Sequence, residues 1–293
     1  MTVADALNKA EHSIKSASLS PRLDAEVLLA HVLERPRGWL ITQVNARLLP
    51  GQGLCFWWLV RERQRGLPVA YLTHTKEFYG RQFYLNHHVL IPRPETEILI
   101  EEAIRLIRHR WSGASANQVI TTIIDVGTGS GCIAITLALE LPQIQIIATD
   151  LSRSSLQVAR INARRYKVNN RLVFFQGDLI QPLVAASGSL LPNSLLLANL
   201  PYLTTAELQG ELTHEPRTAL DGGGDGLRLY RRLLDQLTAL PTTARPRWLM
   251  LELHPPTWPR LNEMLRRAFP TVQITALSDL NQQPRLAVVE FWH

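Results

Sequence analysis

Cysteine is scarce in this chain. Cys55 and Cys132 are the only two in 293 residues, too few for a disulfide framework, so a reducing cytosolic setting is expected. A signal-peptide core is lacking as well, because Asp5, Lys9 and Glu11 interrupt the N-terminal segment. The longest uncharged stretch, Leu179 to Ala206, is broken by Pro182, Pro192, Asn193, Asn199 and Pro201. It predicts loops around a buried strand, not a membrane span. There is no Lys/Arg block and no ladder of alternating aromatic and basic residues. The formal charge of +6 therefore fits a polyanionic neighbourhood such as RNA no better than it fits a mildly basic enzyme. Arg61, Arg63 and Arg65, and likewise Arg228, Arg231 and Arg232, read as solvated helix faces. No internal repeat is present.

What remains is an ordinary globular composition, 46% hydrophobic and 19% charged, long enough for one large domain and a smaller one. Residues 1–73 read as helical. Leu23, Val27, Leu28, His31 and Val32 recur at helical spacing behind Ser20-Pro21, a cap and first helical position. A second helix is expected over 53–65, stopped by Gly66-Leu67-Pro68. The β-rich runs Phe78–Leu85 and Val89–Ile91, separated by Asn86-His87-His88, predict a hairpin linker over 74–92. His87 and His88 have no evident third ligand and read as loop histidines.

From residue 93 to 293 strands and helices alternate, the pattern of a mostly parallel α/β sheet covered on both faces. Strands are expected at 119–125, 145–149, 172–176, 194–198, 247–253, 271–277 and 286–292. Helices are expected at 95–109, 131–140, 153–166, 226–239 and 257–268. The last two strands have no helical period between them and predict an antiparallel hairpin.

Two short stretches carry chemistry. Ile123-Ile124-Asp125-Val126 runs into Gly127-Thr128-Gly129-Ser130-Gly131, a strand entering a glycine-rich turn. Glycines let the backbone turn sharply and let a ligand approach it, and the following helix offers free N–H groups. A dinucleotide fingerprint would need glycine at 132, where Cys132 stands. Asp150 ends the next strand, placed to accept hydrogen bonds from ribose hydroxyls, and Asp178-Leu179 closes the third. Cys132, at a helix start, reads as a small packing residue in the absence of a nearby histidine.

The second stretch is Ala198-Asn199-Leu200-Pro201-Tyr202. The Asn199 side-chain carbonyl and the Leu200 backbone carbonyl could accept both hydrogens of an amide or amino nitrogen. They would orient its lone pair and stabilise the positive charge that grows on it. Pro201 would stiffen the turn, and Tyr202 offers a flat face. A nucleoside cradle beside a nitrogen clamp points to N-methylation by S-adenosyl-L-methionine.

The G-x-G-x-G turn resembles motif I of class I methyltransferases, and a wider resemblance spans about 20–290. Val89-Leu90-Ile91-Pro92-Arg93-Pro94-Glu95-Thr96-Glu97, Arg65–Leu72, Phe78-Tyr79-Gly80, Glu215–Gly223 and Asp225-Gly226-Leu227 are similar to segments of the protein-(glutamine-N5) methyltransferases of peptide chain release factors. The resemblance implies a small N-terminal helical domain that helps hold the release factor, and a Rossmann-like seven-stranded catalytic domain. It also implies an adenine site at Asp178 and Leu179, and a substrate glutamine in a Gly-Gly-Gln tripeptide. The partner is then a protein, with no membrane and no requirement for direct nucleic-acid binding.

The chain departs from that family at three places. Leu200 stands where proline is usual, His74 where glycine is expected, and Glu252-Leu253-His254-Pro255 where glutamate-isoleucine-glycine is usual. The Asn-Leu-Pro-Tyr form also resembles ribosomal RNA adenine dimethyltransferases, so N6-adenine methylation is an alternative. A catalytically weak, methyltransferase-shaped binding protein is a third reading. Asp221-Gly222-Gly223-Gly224-Asp225-Gly226 lacks the alternating ligands of a calcium loop and reads as a flexible loop beside the substrate channel.

Overall fold

Hydrophobic spacing accounts for the first elements of the computed structural model, which describes residues 1–111, 120–190 and 192–291. Residues 119 and 292, the outer ends of two expected strands, and Leu191, in the uncharged stretch, lie outside the described residues. The chain divides into two compact units, residues 1–75 with 85–87 and 209–214, and the remainder.

The first unit holds α1 (Val3–Ile14), α2 (Pro21–Leu33), α3 (Arg37–Thr42), α4 (Pro50–Gln64) and α5 (Val69–Leu72). In α1, Val3, Ala6, Leu7, Ala10 and Ile14 fall on one buried face, and Thr2 and Asp5 close a capping box at its start. Pro21 opens α2 as expected, but the Ser20 side chain makes no cap bond. Arg63 is not on a solvated face. It is 3% exposed and paired with Asp24 at 2.7 Å and with Glu211. Taking a guanidinium out of water requires such partners. His74, at the expected glycine position, has a left-handed backbone (φ 56°), which is why glycine suits that site.

Next in the chain is a hairpin of β1 (Thr75–Phe78) and β2 (Arg81–Tyr84), which from Lys76 to Tyr84 belongs to the second unit. It replaces the expected pairing of 78–85 with 89–91. Tyr79 and Gly80 both have positive φ, 51° and 68°, and make a two-residue turn inside the run that reads as one strand. The Tyr79 N–H donates to Glu97 at 2.8 Å, and Arg81 donates back to the Tyr79 carbonyl at 3.0 Å, so the turn is held despite its bulky residue.

After α6 (Glu97–Trp111) come β3 (Thr122–Val126), α7 (Cys132–Glu140), β4 (Gln145–Asp150), α8 (Arg153–Arg165), β5 (Leu172–Gln176), α9 (Gln181–Ser187) and β6 (Ser194–Ala198). Then follow α10 (Arg228–Thr238), β7 (Trp248–Glu252), α11 (Trp258–Ala268), β8 (Gln273–Ser278) and β9 (Pro284–Glu290). Helix α9 lies in a stretch expected to be loop. Pro182 interrupts the apolar run there, yet in the first turn of a helix it starts one.

The seven-stranded sheet has the order β5-β4-β3-β6-β7-β9-β8. The pairs among β5, β4, β3, β6 and β7 are parallel, and β9 is antiparallel to both β7 and β8. Side chains alternate across it. Ile123, Leu195, Leu197 and Met250 enter one core with α6 and α7, and Ile124, Leu196, Leu249 and Leu251 enter the other with α10 and α11. Register then builds the site: Val126 lies level with Thr149 and Ala198, so Gly127, Asp150 and Asn199 stand level at the carboxyl end of the sheet. No described helix is long and apolar enough to cross a membrane.

Candidate active site

The order of the strands reverses between β3 and β6, with β4 and β5 added on one side and β7 on the other, and a crevice opens there beyond the carboxyl ends of the strands. It encloses about 350 Å³ and is lined by Gly127, Gly129, Asp150, Asp178, Leu179, Asn199, Leu200 and Pro201, with Val89, Leu90, Thr218 and Ala219 among the other walls. That size suits a small-molecule ligand. Eight of the twelve expected site residues thus meet in one cavity. Thr128, Ser130, Gly131 and Tyr202 do not line it.

Those four support the site from behind. The Thr128 hydroxyl donates to buried Asp125 at 2.7 Å, and the Ser130 carbonyl accepts from the Asn162 amide at 2.9 Å. Gly131 is a packing glycine, since at φ 81° a Cβ there would stand 2.9 Å from Ile135 and 3.1 Å from Ala159. Asn162 was not legible as a site residue. Wholly buried on α8, it also exchanges two hydrogen bonds with the backbone of Tyr84, at 2.8 and 3.0 Å, tying the hairpin to the glycine turn.

The Gly129 N–H donates to Asp150 Oδ2 at 2.9 Å and the Ser152 N–H to Oδ1 at 2.8 Å. Burial raises the Asp150 pKa against those two bonds. Each oxygen keeps a lone pair for a donor in the cavity. Asp178 is held by Gln236 at 2.7 Å and by the exposed Arg232 at 2.8 Å. Gln236 also accepts from the Ile180 N–H at 3.1 Å. Its two bonds flank Leu179, whose φ of 50° is strained for a residue with a Cβ. Cys132 is buried, and burial pushes its thiol up to about 12, consistent with packing and not with nucleophilic attack.

On the opposite wall, Asn199 Nδ2 donates to the Thr96 hydroxyl at 3.0 Å, which leaves Oδ1 as the free end of the amide. Leu200 is 2% exposed, and its side chain packs near Gly127. Tyr202 is not a free platform. One ring face stacks on His254, with centroids 5.9 Å apart, and its hydroxyl donates to Glu252 Oε1 at 3.4 Å. Burial raises the Tyr202 pKa and brings the Glu252 carboxyl up to about 7. The Tyr230 hydroxyl donates to the Glu252 carbonyl at 2.6 Å and lies 3.4 Å from the Leu200 carbonyl.

The loop expected to be flexible is a packed buttress. Asp221, Gly222 and Gly226 are buried, and the Gly222 N–H donates to the Leu203 carbonyl at 2.8 Å. A Cβ on Gly222 would sit 2.7 Å from the Pro201 carbonyl oxygen, and one on Gly226 only 2.3 Å from that of Tyr202. The Asp221 carboxylate accepts from Arg217, Thr205 and the Gly223 N–H, and Asp225 pairs with Arg231, so both acids are spent within the loop.

Residues 5–73 match the PrmC N-terminal domain family, and residues 118–187 match a methyltransferase domain family. The release factor glutamine methyltransferase of Moorella thermoacetica is 39% identical over 238 residues, covering 80% of each chain. That of Chlorobaculum tepidum is 39% identical over 271 residues, 90% of this chain and 88% of its own. The Bacillus subtilis protein is 32% identical over 289 residues, 97% of this chain and 96% of its own. Among solved structures, the N-terminal domain of human METTL16 in complex with SAH is 18% identical. It matches 90% of this chain and 94% of its own with a TM-score of 0.54, a likeness of fold alone. Identity of this extent, sustained through both the helical segment and the sheet, means that the chain belongs to the release factor glutamine methyltransferase family.

Proposed function

We propose that this chain transfers a methyl group from S-adenosyl-L-methionine to the side-chain amide nitrogen of the glutamine in the Gly-Gly-Gln motif of peptide chain release factors. The observation that carries this reading is the shared cavity, in which Gly127, Gly129 and Asp150 face Asn199, Leu200 and Pro201. The glycines at φ 78° and 55° bring bare backbone to the cavity, so the residues present fit a nucleoside cofactor. Gly127, Gly129, Asp150, Asp178 and Leu179 would hold it. When bound, it supplies an electrophilic methyl group on a sulfonium.

The chain's own residues supply the rest. An amide nitrogen is a poor nucleophile because its lone pair is delocalised. Asn199 Oδ1 and the Leu200 carbonyl accept its two hydrogens, turn the lone pair toward the methyl group, and stabilise the charge that develops on nitrogen. The proton becomes acidic only as the new bond forms, so no strong base is needed. Val89, Leu90, Thr218 and Ala219 wall the cavity and keep water from the reacting atoms. Residues 1–73 form the docking domain for the release factor, joined through 74–92 to the catalytic domain at 93–293, in the cytoplasm where termination takes place.

The Asn-Leu-Pro-Tyr tetrad favours N6-adenine methylation as a second reading. The stacking of Tyr202 on His254 weighs against it, because that face is no longer available to a base. Incubation with the cofactor, unmodified release factor and ribosomal RNA, read by mass spectrometry, tests both. One added methyl on the Gly-Gly-Gln glutamine is expected. Methyl groups on RNA adenine alone would favour the second reading, and cofactor binding without transfer to either would favour a catalytically weak binding protein.

A further inference from the structure

Residues 88–96 form an irregular strap on the cavity wall. The stretch 88–93 has no regular helix or strand, and Pro92 and Pro94 carry no N–H, so it cannot pair as a sheet edge. A residue before proline is held extended, as Arg93 is at φ −101° and ψ 144°. Ties to three other parts of the chain hold the strap instead. At its start the His88 carbonyl accepts from the Ser155 hydroxyl of α8 at 3.0 Å. At its end the Thr96 hydroxyl accepts from Asn199 Nδ2 at 3.0 Å. Between them, the Ile91 N–H donates to Glu215 Oε2 at 3.0 Å, and the Arg93 guanidinium donates to Oε1 of the same carboxylate.

Glu215 is 6% exposed, and a carboxylate so far from water requires such partners. It also opens the segment that carries Thr218 and Ala219. One side chain therefore joins two stretches that wall the cavity, 88–90 and 218–219.

We propose that Glu215 is a positioning residue for methyl transfer: by holding Ile91 and Arg93 it fixes how closely Leu90 stands to the reacting amide. The inference rests on the reading that the substrate amide lies between Asn199 and the cofactor. Leu90 is half-buried between buried Val89 and Ile91, and it lines the cavity one residue before the N–H that Glu215 takes. Peptide planes are rigid, so a held Ile91 nitrogen leaves Leu90 little travel. Without Glu215 the strap stays fastened at His88 and Thr96, because neither of those ties involves it. The Ile91 N–H, left without an acceptor, would turn outward to find water and bow the middle of the strap from the cavity. The amide would gain room to turn and water room to enter. The cradle would stay in place, because Asp150 is held by Gly129 and Ser152 and not by the strap.

The test is the single-turnover rate of methyl transfer at saturating unmodified full-length release factor. Cofactor affinity and Tm are read by calorimetry, and strap opening by amide hydrogen exchange of the cofactor-bound enzyme. Glu215→Gln, equal in size, keeps one oxygen for the Ile91 N–H but loses the charge that holds Arg93. Its rate should fall by about tenfold, and that of Glu215→Ala by about a hundredfold, the order of loss that a misplacement of about 1 Å brings. Cofactor affinity should change little in both. Exchange should quicken over 88–93 and stay as in the wild type over 123–131. Leu90→Ala should slow transfer by itself, and adding Glu215→Gln to it should cost no further rate, because the two residues act in series. Should Glu215→Ala not fold, the isosteric variant carries the same test.

A lowered Tm with the wild-type saturated rate would make Glu215 a purely structural residue and overturn the inference. A lost rate without faster exchange over 88–93, or losses that add in the double variant, would do the same. Each of these outcomes leaves glutamine methylation standing. Wild-type enzyme that binds cofactor yet never methylates the glutamine would overturn both.

Discussion

The two walls of the cavity are built from different materials. The cofactor wall is mostly backbone: glycines at positive φ, main-chain N–H groups donated to Asp150, and a strained Leu179 braced by Gln236. The clamp wall is made of side-chain hydrogen bonds, from Asn199 to Thr96 and from Tyr202 and Tyr230 to Glu252. Their glycines differ too. A Cβ on Gly131 would press on the tip of Ile135 and on Ala159 of α8, whereas one on Gly226 would meet a backbone oxygen. The cradle is closed by elements near it in sequence, while the clamp depends on groups brought together from distant parts of the chain.

Four substitutions would break or sharpen that contrast. Asn199→Ala is expected to have the largest effect, lowering the transfer rate on the order of a hundredfold to a thousandfold, as for loss of a group that stabilises transition-state charge. Cofactor affinity, read by calorimetry, should hardly change; an unaltered rate would remove Asn199 from the clamp. Gly226→Ala combines φ 73° with contact against the Tyr202 carbonyl. Turnover should drop by about tenfold or more and the fold should lose about 1–3 kcal/mol, seen in chemical denaturation. Normal turnover would mean the buttress is dispensable.

Asp150→Ala acts on the other wall. The cofactor dissociation constant should rise by about tenfold to a hundredfold, the worth of hydrogen bonds to a charged acceptor, with the saturated rate little affected. An unchanged constant would refute its ribose role.

The smallest effect is on pH dependence. Burial raises the pKa of Asp125 from 3.8 to about 7, with a smaller push from Asp150, against bonds from Thr128 and the Ala134 N–H. In the unfolded chain Asp125 ionises first. Its contribution is complete below pH 3.8 and is lost as the pH rises through about 7. Tm should fall over that interval, and Asp125→Asn should reduce the slope; an unchanged slope in the variant would place the titration elsewhere.

The same contrast governs what could be read from sequence. Buried parallel strands are apolar runs that end in Asp or Gly, so the cradle and the Asn199 turn were legible together with the alternation of elements. The clamp's support was not. Thr96 and Asn199 stand 103 residues apart, and nothing local marks either Thr96 or Glu252 as a partner. Charges at helical spacing misled at Arg63, because exposure is a tertiary property. The hairpin was displaced because tyrosine, unlike asparagine or aspartate, does not signal a left-handed turn.

The position of β9 between β7 and β8 has a consequence for synthesis. The strand bearing Glu252 has β6 on one side, and its other neighbour is among the last segments to leave the ribosome. Until residues 284–290 emerge, β7 is an open edge and β8 has nothing in the sheet to pair with. A chain stopped before residue 284 would carry every residue of both walls and still lack the strand that secures one of them. Ribosomes that release this protein early would therefore yield an inactive product, even though the missing piece contributes no lining to the cavity.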